Sequence, residues 1–308
     1  MNAEELNDFI RRGWVNTLVR VAEAKQVKTL SRIADDICIR QNVRLVLIAG
    51  ASSAGKTTTA KRVCTQLMVN DRFALHLSTD DYFVGDRLNP RDENGELDYE
   101  HVLCVDIPRL AADMSALFRG DAIPERRFDF IRHEPTYTEN YLQLPKGGFI
   151  VLEGIHALNP KLTEDLAEDL KFRIYVDPKP TLELAPEIQP TSADARFLRR
   201  LVRDNQFRKM DTLKTLSMWQ KVLDGEKKWI EPFHECADVT FNSYLVYELA
   251  ALKYYVEGLL EIAHRGQKDD PRINRGLAQL RSVLPISHEA IPGNSILRET
   301  IGGSQLEY

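Results

Sequence analysis

AGASSAGKTTTAKRV, residues 49–63, directly follows the apolar run VRLVLI at residues 43–48. The run is short, rich in β-branched residues and almost wholly apolar, which is typical of a strand buried on both faces. Residues 50–57 then fit the pattern GxxxxGK[ST] in full. Small residues allow backbone N–H groups to surround a phosphate, and the N-terminus of the following helix adds partial positive charge. The stretch therefore predicts a strand, a nucleotide-phosphate loop and a helix.

Residues of this loop have distinct expected roles. Lys56 is expected to reach the β- and γ-phosphates of the nucleotide, and the Thr57 hydroxyl is expected to ligate Mg²⁺. The other expected nucleotide-binding residues are Gly50, Ala51, Ser52, Ser53, Ala54, Gly55 and Thr58. The expected cofactors are therefore Mg²⁺ and a nucleoside triphosphate, ATP or GTP.

Four further short apolar runs predict strands, at residues 73–80, 148–155, 171–177 and 237–243. Helical stretches are predicted among them at 57–69, 106–119, 160–169 and 194–223. Alternating strands and helices are typical of βαβ units, which form a parallel sheet with helices on both faces. The predicted fold class is α/β, a P-loop NTPase with a parallel β-sheet core flanked by helices, plus helical extensions at both ends.

The regions outside this core also have helical patterns. Residues 4–39 carry apolar positions at helical spacing, as one broken helix or two. An amphipathic helix is predicted after residue 243, followed by a break at DDPRINRGL (269–277), a short helix and a Gly-rich tail that packs on the main body or on a partner. These patterns divide the chain into an N-terminal helical extension (1–42), a P-loop domain (43–264) and a C-terminal helical tail (265–308).

Acidic residues follow two of the predicted strands. Four apolar residues place Glu153 at the carboxyl end of a central strand, where ligands lie in open α/β sheets and where a carboxylate can hold Mg²⁺ or its waters. Asp80 ends another strand at the same edge and is the candidate base for an attacking hydroxyl. The alternatives are a helix-capping role for Glu153 and a turn-capping role for the pair Asp80 and Asp81.

Arginines share one face of a predicted helix farther along the chain. Arg196, Arg199, Arg200 and Arg203 are spaced three or four residues apart, and Arg208 follows them. Guanidinium groups match phosphate oxygens, so the stretch RFLRRLVRDNQFRK predicts a phosphate-binding lid, in which an arginine that meets the transferring group would be catalytic. The alternative is a solvated basic face.

Composition excludes several classes of protein. The 308 residues carry a formal net charge of -5 and a pI near 5.9, so no overall positive field favours nucleic acid. No apolar run is long enough to span a bilayer, and the N-terminus does not resemble a signal peptide, so we expect a cytoplasmic protein without a membrane partner. Tyr244, Tyr247, Tyr254 and Tyr255 follow helical spacing, which predicts either internal packing or a homo-oligomer seam.

Several motifs together resemble the uridine kinase and phosphoribulokinase family of P-loop kinases. They are GASSAGKTT, STDDYF (78–83), IPERRFDFIRH (123–133), IVLEGIHALNP (150–160), RRLVRD (199–204) and WIEPFHECADVTFNS (229–243). Residues 225–253 are most similar to uridine kinase-like domains of bacterial chains that also carry a TGS module. Only residues 1–42 precede the P-loop strand here, so that module is not expected.

The resemblance implies transfer of the ATP γ-phosphate to the primary hydroxyl of a small polyol such as a ribonucleoside. It places Asp80 as general base, Arg200 and Arg203 in the lid, and Glu153 beside magnesium. It also implies acceptor contacts from Asp98, His133, Phe128, Phe130 and, after the lid helix, Arg208. Phenylalanine stands at positions 83 and 128 where such kinases carry tyrosine, Arg208-Lys209-Met210 replaces their Arg-Gly-Arg, and Gly225-Glu226 replaces their Met-His.

Three functions therefore stay open. The first is an ATP-dependent kinase of a nucleoside-like acceptor. The second is a phosphoribulokinase-like kinase of a sugar phosphate, for which Arg126, Arg127 and Arg132 offer positive charge. The third is an ATP-binding regulatory or assembly switch, in which the flanking helices dock a partner.

Overall fold

The computed structural model describes residues 1–129 and 132–307. Its strands are β1 (Leu45–Ala49), β2 (Ala74–Ser78), β3 (Ile123–Asp129), β4 (Glu134–Leu142), β5 (Phe149–Glu153), β6 (Lys171–Asp177) and β7 (Val239–Asn242). Five of them form one parallel sheet in the order β2-β5-β1-β6-β7, and β3 pairs with β4 in a separate antiparallel hairpin. The predicted α/β fold with a parallel core is confirmed.

Burial explains why the central strands are so apolar. Every residue of β1 and β5 is buried, and Leu47 of β1 pairs with Leu152 of β5 and Arg173 of β6. Alternate residues of β1 enter different clusters: Val46 packs on one face of the sheet and Leu45 on the other. Because both faces are covered, polar alternation is absent and the strands appear as continuous apolar runs.

The helices are α1 (Ala3–Arg11), α2 (Val15–Ile39), α3 (Lys56–Val69), α4 (Ile107–Arg119), α5 (Ser192–Phe207), α6 (Thr212–Trp229), α7 (Glu248–Gly266), α8 (Pro271–Arg281) and α9 (Arg298–Ile301). The N-terminal region forms two helices, separated at Gly13, whose φ of 72° favours glycine. No helix within residues 1–129 and 132–307 is both long and apolar enough to cross a membrane.

Two predicted helices differ in the structure. The single helix predicted at 194–223 is wrong, because Lys209 has a φ of 51° and the Asp211 side chain accepts from the backbone N–H of Lys214 to start α6. The helix predicted at 160–169 is also wrong: two short 3₁₀ turns, Pro160–Leu162 and Glu168–Leu170, lie there instead. The Asn159 side chain accepts from the Lys161 N–H, a local bond that competes with an α-helical start.

The hairpin β3–β4 was missed by the sequence reasoning. Nearly all of β4 is exposed, including Tyr137 and Tyr141, so the strand lacks the alternation of apolar and polar residues that marks a half-buried strand.

The C-terminal tail packs on the main body of the chain. Ile296, Leu297 and Ile301 are buried in one cluster with residues of α5 and α7. The break predicted at 269–277 is wrong in its extent, since α8 already begins at Pro271, with Asp270 as its N-cap. Tyr244 and Tyr247 are buried in the same cluster, whereas Tyr254 is exposed.

Candidate functional site

Three polar side chains converge at the carboxyl edge of the parallel sheet. β1 leads into the P-loop and α3, β5 ends at Glu153, and β2 is followed by a short 3₁₀ helix that contains Asp80. The Thr57 hydroxyl donates to Oε1 of Glu153 over 3.1 Å. Asp80 lies close enough to contribute to the raised pKa of Glu153. The three residues predicted to serve metal binding and proton transfer are therefore neighbours in space.

Glycines let the loop approach its surroundings closely. A Cβ at Gly50 would lie 2.3 Å from the Val176 carbonyl oxygen, and Gly55 has a φ of 88° at the start of α3. The Lys56 ammonium donates to the Ala51 carbonyl over 3.2 Å, so the lysine folds over the loop. The expected nucleotide-binding residues Gly50, Ala51, Ser52, Ser53, Ala54, Gly55, Lys56, Thr57 and Thr58 form one continuous loop and helix start.

Burial controls the charge of Glu153. The residue is 3% exposed, and loss of hydration raises the pKa of its carboxyl, with the nearby Asp80 charge adding to the effect and Lys56 opposing it. The Thr57 hydroxyl and these carboxylates are hard oxygen donors, the set that Mg²⁺ prefers. A divalent cation would relieve the repulsion between Glu153 and Asp80, so these residues fit the predicted magnesium ion.

The arginines predicted to form a lid gather around one buried carboxylate. Asp204 is fully buried and lies 3.2 Å from the guanidinium of Arg200, 2.9 Å from Arg203 and 3.8 Å from Arg208. Arg200 also donates to the Ser52 hydroxyl of the P-loop over 3.1 Å. Three guanidinium groups and one carboxylate leave a formal excess of two positive charges beside the phosphate loop. Such a cluster suits an anion with several oxygens.

Two other arginines of α5 form ion pairs with carboxylates of neighbouring helices. Arg199 is fully buried, makes a two-bond ion pair with Glu248 (2.6 and 2.7 Å) and donates to the Ala54 carbonyl over 3.1 Å. Arg196 pairs with Glu226 at 2.6 Å. Both guanidinium groups are thus committed to carboxylates of the chain, and the spacing that placed all four arginines on one face did not distinguish these two from Arg200 and Arg203.

The expected acceptor residues are less closely grouped. Phe128 is buried and packs edge-on against Phe83, with ring centroids 5.6 Å apart, so the two phenylalanines form one apolar wall. His133 lies on the exposed rim, where its Nδ1 is 3.3 Å from Asp86. Asp98 accepts from the backbone N–H of Glu100 within its own turn. Phe130 lies outside the described residues.

Glu100 is a candidate site residue that the sequence reasoning missed. Its Oε2 is buried without a hydrogen-bond partner among the described residues. Burial raises the pKa of Glu100 to about 7, while Arg200 and Lys56 oppose the shift and Asp80 adds to it, so this carboxyl lies among the predicted catalytic groups. A Cβ at Gly225 would lie 2.5 Å from the Glu100 Cβ, which explains why glycine stands there. A glutamate in a loop carries no periodic signal that could have identified it.

Sequence and structure comparisons extend these observations. The chain is 28% identical to uridine kinase from Lactobacillus helveticus (strain DPC 4571) over 196 aligned residues. The alignment covers 63% of this chain and 84% of that protein. It is 29% identical over 193 residues to uridine kinase from Deinococcus deserti (strain DSM 17065 / CIP 109153 / LMG 22923 / VCD115), covering 62% and 84%.

A solved structure shares the fold. It is that of a protein proposed to be a fructose transport system kinase from Silicibacter sp. TM1040, with a TM-score of 0.51, 18% identity, and coverage of 68% of this chain and 98% of that one. The sequence model of the Phosphoribulokinase / Uridine kinase family matches residues 45–250, which include the P-loop, Asp80, Glu153 and the arginines of α5. The chain therefore belongs to the Phosphoribulokinase / Uridine kinase family of P-loop kinases.

Proposed function

We propose that the protein transfers the γ-phosphate of ATP to a hydroxyl of an uncharged polyol of the nucleoside class. The observation that carries the proposal is the position of Asp80 among Glu153, Glu100 and the Asp204 arginine cluster. A base, a phosphate loop and a buried hydrogen-bond acceptor for hydroxyls are the parts that such a reaction requires.

The reaction has one covalent exchange. Asp80 accepts the proton of the acceptor hydroxyl, the hydroxyl oxygen forms a bond to the γ-phosphorus, and the bond from that phosphorus to the β-bridging oxygen breaks to release ADP. Lys56 follows the phosphate chain, and Arg200 and Arg203 neutralise the charge of the transferring group. Magnesium, held through Thr57 and Glu153, would supply charge neutralisation between the β- and γ-phosphates.

Ion pairing favours an acceptor without a phosphate. Arg126 lies 3.1 Å from Asp106, and Arg127 lies 2.8 Å from Glu125. Arg132 lies 3.7 Å from Asp129. The basic residues that a sugar phosphate would require are thus each near a carboxylate of the chain, whereas Glu100 offers a buried acceptor for a neutral hydroxyl. The similarity to uridine kinases supports the same choice, but the phenylalanine pair Phe83 and Phe128 lacks the hydroxyls that would read a pyrimidine.

A coupled assay tests the proposal. Purified protein is incubated with ATP and Mg²⁺ and a panel of nucleosides, pentose phosphates and pantothenate, and ADP release is measured. We expect stimulation by at least one nucleoside and its loss in Asp80→Asn, with MgADP binding retained. Stimulation by a pentose phosphate alone would support the phosphoribulokinase-like alternative, and unstimulated hydrolysis across the panel would favour the regulatory switch.

A further inference from the structure

A carboxylate from the C-terminal tail bonds to the start of the P-loop helix. Oε2 of Glu299, in α9, accepts from the Thr58 hydroxyl over 2.6 Å and from the Thr58 backbone N–H over 3.4 Å. Glu299 lies outside residues 45–250, the part matched by the family model. Thr58 directly follows Thr57, at a helix end whose N–H groups attract anions. The tail therefore presents a negative group to donors that the P-loop motif predicts for a nucleotide phosphate.

Packing fixes the backbone that carries Glu299. A Cβ at Gly55 would lie 2.5 Å from Cδ1 of Ile296, so the tail contacts the P-loop directly. Leu297 and Ile301, on either side of Glu299, are buried in the core cluster that contains α5 and α7 residues. If the tail backbone moved away from the core, both apolar side chains would be exposed to water. A rotation of the half-buried Glu299 side chain avoids that cost in free energy, so it is the movement that would release Thr58.

The electrostatics of the site oppose a second anion. Glu299 forms no ion pair with a described residue, and the charges of Lys61 and Arg199 act on it only from beyond ion-pair distance. Its charge is one of those that raise the pKa of Glu153, which places it near the predicted metal position. A phosphate that approached Thr58 would meet this carboxylate at short range and would have to displace it, because both bind the same donors.

We propose that Glu299 sets the affinity of the donor site, because its carboxylate holds the Thr58 donors in the free protein and leaves them when nucleotide binds. The inference rests on the proposed function, since it takes Thr58, one of the residues expected to bind the nucleotide, to contact a phosphate of the donor. It gives the tail a definite effect on the reaction, namely that the chain binds the donor more tightly with an uncharged side chain at position 299 than with glutamate.

Calorimetric titration with MgADP tests this inference on the full chain. We expect Glu299→Gln and Glu299→Ala to bind MgADP roughly tenfold more tightly than the wild type, since a charge-assisted hydrogen bond no longer competes. Glu289→Gln, an exposed glutamate of the same tail, is the control and should leave the affinity unchanged. In the absence of nucleotide, the two Glu299 variants should unfold at lower temperature than the wild type, because Thr58 loses its carboxylate.

Tighter MgADP binding together with a lower unfolding temperature in the Glu299 variants would show that Glu299 and the nucleotide compete for Thr58. A merely structural Glu299 would give variants with lower stability and equal or weaker MgADP affinity, and that result would overturn the inference. If the wild type binds MgADP and Glu299→Gln binds it equally, the inference is wrong while the proposed function stands. If neither protein binds MgADP, both are wrong. Binding by the variant alone would support the inference most strongly.

Discussion

The Thr57 hydroxyl lies 3.1 Å from the Glu153 carboxylate, a contact that joins the helix after the P-loop to the end of the neighbouring strand β5. This contact connects two motifs almost a hundred residues apart, and it does so because β1 and β5 are adjacent and parallel. The carboxyl ends of parallel strands meet at one edge of a sheet, so residues that follow the strands meet there as well.

Glu153→Gln should stabilise the metal-free protein and weaken its affinity for Mg²⁺. The raised pKa of Glu153 means that its charged form destabilises the folded chain above the pKa, so the metal-free variant should unfold at higher urea concentration at pH 8. The Mg²⁺ concentration for half-maximal activity should rise about tenfold, because a carboxylate ligand is lost. Urea titration and Mg²⁺-dependent kinetics measure the two effects, and the exposed Glu96→Gln is the control. A variant less stable than the wild type would contradict the account of Glu153.

Asp204→Asn should disperse the arginines that surround it. The three guanidinium groups repel one another, and each lies within 3.8 Å of this carboxylate. We expect kcat to fall by about 10²-fold or more, since a well-placed lid arginine contributes roughly 10³ to 10⁵ in rate. MgADP should bind equally or more tightly, because one negative charge is removed. Loss of both nucleotide binding and turnover would instead indicate a general structural role. Asp224→Asn, on the exposed face of α6, is the matched control.

Part of this site could be predicted from the sequence because each feature is local. The P-loop follows its strand directly, and four apolar residues bring Glu153 to the strand end. Helical spacing identified the arginine face but could not separate Arg199 from Arg200, because the partner of Arg199 is Glu248, on a different helix. Glu100 depends on the loop that folds against Gly225. Such long-range contacts leave no periodic trace in one sequence.

Glu100→Gln should alter the pH dependence of stability. Burial raises the pKa of Glu100 to about 7 in the folded chain, from an ordinary value of 4.5. Between these two pH values the folded chain therefore holds a proton that the unfolded chain has lost. The free energy of unfolding should therefore fall as pH rises from about 4.5 to 7. The variant should show a smaller fall, by an amount on the order of 1–3 kcal/mol. Denaturant titrations at pH 5, 6, 7 and 8 measure it, and parallel curves for variant and wild type would contradict the raised pKa.

Arg199 and Glu248 should be coupled in stability. Arg199→Met leaves the Glu248 carboxylate buried without its partner, and a loss of this kind costs about 3–5 kcal/mol of unfolding free energy. In the double variant Arg199→Met/Glu248→Leu the lone charge is removed, so the cost should be well below the sum of the two single costs. Denaturant unfolding of the four proteins gives the coupling energy. The exposed pair Asp8 and Arg12, 2.9 Å apart, is the control and should yield no more than about 0.5 kcal/mol. Additive costs at Arg199 and Glu248 would show that the pair does not act as a unit in holding the P-loop.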